Sequence, residues 1–147
     1  MTLTQPLEGM SCTLLVSQRL IACVPVSTPR AAISLEELAQ GPLVLRESGS
    51  MTRAMMEAAF AAHGLSGRIA IEVGSREAAR EAVAAGIGIS VVLDGEAWQD
   101  QRLLAVPILG EPIAGGVYAV ALPESLDLPA VRTFVDLSGD ATNRMAW

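Results

Sequence analysis

Two short stretches hold the residues best suited to chemistry on a small molecule: Arg46-Glu47-Ser48-Gly49-Ser50-Met51-Thr52-Arg53, and Gly74-Ser75-Arg76. Each offers hydroxyls, arginine and main-chain amides next to a glycine. No serine or cysteine has a base close by in sequence, and no metal-ligand spacing occurs anywhere in the chain. Such a set holds an anion rather than transforms one. If each stretch leads from a strand into a helix, the helix start brings about half a positive charge and unpaired N–H groups. The candidate ligand-binding residues are therefore Ser48, Gly49, Ser50, Met51, Thr52, Arg53, Gly74 and Ser75, and the expected guest is a small anionic or zwitterionic molecule. No catalytic residue, metal ligand or cofactor is assigned, and the chain is not expected to be an enzyme. A plainer reading stands beside this one. Ser50 and Ser75 are also ordinary helix caps, and Arg46 and Arg53 can pair with Glu47 or Glu57.

The elements that must position these residues can be read from periodicity. Apolar runs at Thr13–Val16 and Leu20–Val26, closed by Pro25 and Pro29, read as one or two strands ending in an extended crossing segment. Ser34 with Glu37 three residues later forms a capping box for a short helix ending near Gly41. Pro42 ends it, and Leu43–Leu45 is a short buried strand. The best helix runs from Met51 to His63, with Met51, Met55, Ala58, Ala59 and Ala62 at helical spacing and Gly64 as its stop. Arg68–Val73 is a strand, Gly74-Ser75 a turn and cap, Arg76–Ala85 an alanine-rich helix, and Ile87–Leu93 the next strand. Further strands are expected at Leu103–Ile108 and Gly116–Leu122. A last helix starts at Pro129 and runs to about Leu137, with Val131, Phe134, Val135 and Leu137 as its apolar face, and a loose polar tail follows from Ser138. Strands and helices alternate from Leu43 onward, which predicts an α/β fold with a mostly parallel sheet flanked by helices.

Bulk properties exclude several classes. The chain has 147 residues, is 51% hydrophobic and only 3% aromatic, so it can build an aliphatic core. All ten basic residues are arginines against sixteen acids, and a net charge of −6 repels a nucleic-acid backbone. No secretory signal and no apolar run long enough to span a membrane is present, so the protein is expected in the cytoplasm. Cys12 and Cys23 lack metal-binding companions and read as two reduced thiols. His63, the single histidine, sits beside Gly64, where a helix C-terminus favours a cation, and this outweighs a catalytic role. Met51, Met55 and Met56 read as core filling. Gly86-Ile87-Gly88 precedes a strand rather than a helix, so it reads as a helix stop with close packing and not as a dinucleotide fingerprint.

Four segments, in this order and spacing, resemble LysR-type effector-binding domains. They are Ile33-Ser34-Leu35-Glu36-Glu37-Leu38, then Pro42 to Arg53, then Glu72-Val73-Gly74-Ser75-Arg76-Glu77-Ala78, then Val83-Ala84-Ala85-Gly86-Ile87-Gly88-Ile89. The likeness extends from about Leu14 to Leu137. The Arg46–Arg53 version resembles the subgroup associated with aminoethylphosphonate use. The resemblance implies a type 2 periplasmic-binding-protein fold, with two α/β lobes and an inducer in the cleft between them. On that basis residues 1–42 are a first-lobe remnant and crossing strand, 43–108 the second lobe, 109–137 the return strand and first-lobe helix, and 138–147 the tail. Ser50, Thr52 and Ser75 match positions where such domains present helix N-termini to the inducer.

The same resemblance implies that a DNA-binding helix-turn-helix and the opening of the first lobe precede residue 1, so that DNA is contacted only through a domain absent from this chain. It also implies a homo-oligomer, with an apolar face left open to self-association. Two other functions share parts of this description. A transporter's solute-binding protein has the same fold but needs an export signal, and a small anion-handling enzyme needs a base or nucleophile.

Overall fold

A computed structural model describes residues 1–145. The strands are β1 (Thr2–Leu3), β2 (Ser11–Pro25), β3 (Pro42–Arg46), β4 (Arg68–Val73), β5 (Ser90–Leu93), β6 (Leu103–Pro107) and β7 (Ala114–Ala121). The helices are α1 (Leu35–Gln40), α2 (Met51–Ala62), α3 (Arg76–Ala84) and α4 (Pro129–Met145), with short 3₁₀ turns at Asp94–Glu96 and Pro123–Asp127.

The chain divides into two compact units, and β2 runs through both. One comprises Arg19–Ile113, the other Met1–Gln18 with Ala114–Trp147. The first is wider than the residues 43–108 read from the sequence, because the second half of β2 and α1 pack into it.

In the Arg19–Ile113 unit, β3 and β4 pair in parallel. A parallel bridge at Leu43–Ile89 joins β3 to the strand that becomes β5. β5 and β6 both pair antiparallel with β2, on either side of it. The order is thus β4-β3-β5-β2-β6, in which four strands run one way and β2 alone opposes them. The mostly parallel α/β sheet expected from the alternation is present, and the opposing strand is the one that enters from outside the alternating run.

Close packing at one glycine holds this order together. Ile89 N–H donates to Pro42 O at 2.8 Å and Val44 N–H to Ile89 O at 2.9 Å. A Cβ on Gly88 would lie 2.2 Å from Pro42 O, so only glycine lets the two strands meet. Gly86, at φ +78°, ends α3. Both roles anticipated for this glycine pair are met.

The core of this unit lies between the sheet and α1 and α2, with Leu38, Leu43, Met56 and Phe60 among its buried residues, while Val44, Ala79 and Val83 form a second cluster under α3. Helix α2 buries Met55, Met56 and Phe60. The expected face differs: Ala58 and Ala62 are exposed, because the helix turns its larger side chains inward and leaves its alanines to solvent. Cys12 and Cys23 are free, and burial pushes the Cys23 thiol up to about 11.

In the other unit β7 pairs antiparallel with β1 at Thr2–Val117 and Leu3–Gly116, and also with β2. Helix α4 continues to Met145, past the Leu137 expected from its apolar face, so residues 138–145 are helical rather than a loose tail; the last two residues of that tail lie outside the described residues. Val131 and Val135 are half-buried, whereas Phe134 and Leu137 are 60% and 62% exposed. Half of the expected apolar face therefore remains open to solvent.

Candidate anion-binding site

Both candidate loops follow parallel strands and open onto one pocket. Its lining includes Arg46 at the end of β3, Thr52 in the first turn of α2, Arg76 at the start of α3, Ser90 on β5, Glu96 and Trp98. The pocket volume is about 10 Å³, room for a single water. The structure thus brings the starts of α2 and α3 together around a small recess lined by two arginines, Glu96 and apolar side chains.

Ser50 and Ser75 play different parts there. Ser75 Oγ accepts from Ala78 N–H at 3.1 Å, so it caps α3. Ser50 makes no capping bond to α2, and its hydroxyl lies 3.0 Å from Thr52 Oγ1. The first turn of α2 carries no acid, whereas those of α1 and α3 contain Glu36 with Glu37 and Glu77 respectively. Helix α1 has the complete capping box expected of Ser34 and Glu37. Amides in a helix's first turn have no intrahelical acceptor. At α2, then, neither a side-chain cap nor a carboxylate offsets the positive end of the dipole.

The remaining candidates take plainer positions. Ser48 and Gly49 are exposed in the loop, where Gly49 adopts φ +95°. Met51 packs against the main core cluster. Arg53 is bound by Glu57 at 2.8 Å and Glu72 at 2.5 Å, and it donates to Arg46 O at 3.0 Å, so it braces α2 against β3 and β4. Gly74 is exposed with no atom near its Cβ position. Of the eight candidates, Thr52 alone lines the recess.

The other lining residues were not among those candidates; they include Arg46, Arg76, Ser90, Glu96 and Trp98. Ser90 had a legible signal, since it is a polar residue inside the apolar run Ile87–Leu93 and is only 2% exposed. Arg46 is held by Glu47 through two bonds of 2.7 and 2.8 Å. That bonding holds the Glu47 carboxyl down at about 2. Arg76 pairs with Glu96 at 2.6 Å across the pocket. Both arginines therefore have carboxylate partners that an incoming anion would have to replace. Among the described residues no group of three or more His, Cys, Asp or Glu is arranged to hold a metal ion. His63 is the C-cap of α2, with Nδ1 2.9 Å from Ala59 O, and does not line this recess.

Comparison with known proteins places this geometry in context. The LysR substrate binding domain family matches residues 1–143. The HTH-type transcriptional activator CmpR of Synechocystis sp. is 45% identical over 60 residues, which is 41% of this chain and 20% of that protein. The HTH-type transcriptional regulator CbbR of Xanthobacter flavus is 32% identical over 125 residues, 79% of this chain and 37% of that protein. The chain thus matches between a fifth and two fifths of the length of these two relatives. The regulatory domain of Synechocystis PCC6803 CcmR, solved in complex with 2-PG, superimposes with a TM-score of 0.83 at 25% identity, covering 98% of this chain and 73% of that one.

Proposed function

The chain belongs to the LysR substrate binding domain family, and from that premise we propose that it senses a small anionic or zwitterionic effector at the uncapped start of α2. The observation that carries this reading is the contrast among the three helix starts of the Arg19–Ile113 unit: only α2 lacks both a side-chain cap and an acid in its first turn. Thr52, Ser50 and the first-turn amides would donate to the anion, and Arg46 and Arg76 would supply charge. Because the recess holds about one water, a larger effector must part Arg76 from Glu96. Arg76 is half exposed, so that exchange costs little. The CcmR regulatory domain in complex with 2-PG supports a small-molecule guest, and the resemblance of the Arg46–Arg53 stretch makes aminoethylphosphonate the finer candidate.

This reading extends to a regulator that contacts DNA through a separate helix-turn-helix domain and works as a dimer in the cytoplasm. The absence of lysine and the net charge of −6 support leaving DNA contact to another domain. Among the described residues no helix is long and apolar enough to cross a membrane.

The test is a thermal-shift series on the 147-residue chain against 2-PG, aminoethylphosphonate, phosphate, sulfate and simple carboxylates. A ligand at a hundredfold excess over its dissociation constant adds about 2.7 kcal/mol. One class of anion is expected to raise the melting temperature, and Thr52→Ala to reduce that rise without lowering the melting temperature of the free chain. A flat response to every anion would overturn the reading.

A further inference from the structure

A second and roomier cavity, about 280 Å³, lies elsewhere in the Arg19–Ile113 unit and shares no lining residue with the anion recess. Its walls come from the start of α1, the end of α2 and the loop after β6. Leu35, Ala59, Ile108 and Ile113 give it an apolar floor. The loop is pinned at both ends: Leu109 N–H donates to Ile33 O at 2.8 Å, and Leu20 N–H donates to Ile113 O at 2.9 Å. The cavity is therefore shaped before any ligand arrives.

Glu36 and Glu111 line the cavity together with the single histidine, His63, whose Nδ1 is held 2.9 Å from Ala59 O, and no arginine does. Neither glutamate has an ion-pair or hydrogen-bond partner among the described residues, although Glu37 beside Glu36 is locked in the capping box with Ser34. Most other acids of this unit are engaged by arginines, including Glu47, Glu57, Glu72, Glu81, Glu96 and Asp100. An apolar floor rimmed by two unpaired carboxylates selects a cation carried on an apolar body. The volume falls just under the roughly 300–1,000 Å³ of drug-sized sites, so the occupant is small.

We propose that this cavity is a second ligand site, taking a small organic cation, a primary amine or guanidine on a short apolar chain, with Glu36 and Glu111 as its charge partners. The inference does not depend on the anion site. The test is an NMR titration of the ¹⁵N-labelled 147-residue chain with n-butylamine and with agmatine, using n-butanol as the neutral counterpart. Saturable shifts centred on Ala59, Ile108 and Gly110 are expected for the cations. Glu36→Gln and Glu111→Gln, both at exposed positions, are each expected to weaken binding about fivefold, the scale of losing one solvent-facing charge partner, while Thr52→Ala leaves it unchanged. No saturable shift with either cation, equal binding of n-butanol, or insensitivity to either glutamine substitution would each overturn the proposal.

Discussion

Helices α2 and α3 begin alike and end up with different jobs. Each follows a parallel strand, and each opens on a serine with extended backbone. In α3 the serine bonds back to the third residue of the helix, and Glu77 sits in the first turn. In α2 the second residue is Thr52, whose hydroxyl engages Ser50, and the third is Arg53, which is drawn sideways to Glu57 and Glu72. One helix start is closed by its own side chains and serves stability. The other is left open. A serine before a helix is thus not informative alone; the next three residues decide whether the dipole is already satisfied.

The comparison can first be broken through the frame that holds both helices. Gly88→Ala puts a Cβ against the Pro42 carbonyl, which is backbone and cannot yield, so destabilisation of about 3 kcal/mol is expected, with anion response lost alongside it. Gly86→Ala meets no atom and costs only about 1 kcal/mol through its left-handed backbone. Urea midpoints at unchanged slope would measure both. Equal midpoints for the two variants would remove Gly88 as the joint between β3 and β5.

Exchanging the two helix starts sharpens the comparison. Ser50→Asp supplies α2 with the cap and acid it lacks, and anion affinity should fall about tenfold, or about 1.4 kcal/mol, while stability holds or rises. Ser75→Ala should do the reverse, costing about 1 kcal/mol of stability with little change in affinity. If both substitutions lower affinity equally, the two helix starts act as one site and the distinction fails.

The smallest effect concerns Arg46. Its bonds hold the Glu47 carboxyl at about 2, below the ordinary 4.5, so the pair favours the folded chain above pH 4.5, and that contribution is lost as pH falls through about 2. An NMR titration of the Glu47 carboxyl should give a midpoint near 2, rising toward 4.5 in Arg46→Met. Bound anion that competes for Arg46 should raise it as well.

Much of the frame was legible because it rests on local rules. The capping box at Ser34 and Glu37, the stops at Gly64 and Gly86, and the alternation of strands and helices all follow from neighbours within a few residues. What reading failed on depended on distant partners. Ala58 and Ala62 fit the helical period of α2, but Phe60 and Met56 won the core because they bury more surface. Helix α4 outran its apolar pattern. Arg76, Ser90 and Trp98 are 14 and 8 residues apart along the chain and meet only because α3, β5 and the turn after it converge on one recess.

The sequence by itself therefore determined most of the helices and strands of the Arg19–Ile113 unit, that their alternation gives an α/β sheet, and which two loops carry hydroxyls and arginines at helix starts. Only the tertiary structure decided that one of those starts is capped and the other open, that Arg53 braces the fold while Arg46 and Arg76 face the recess, and that two unpaired glutamates share a second cavity. The physical reason is range: capping and propensity act within a turn of chain, whereas charge pairing and cavity shape depend on which elements the sheet order sets side by side.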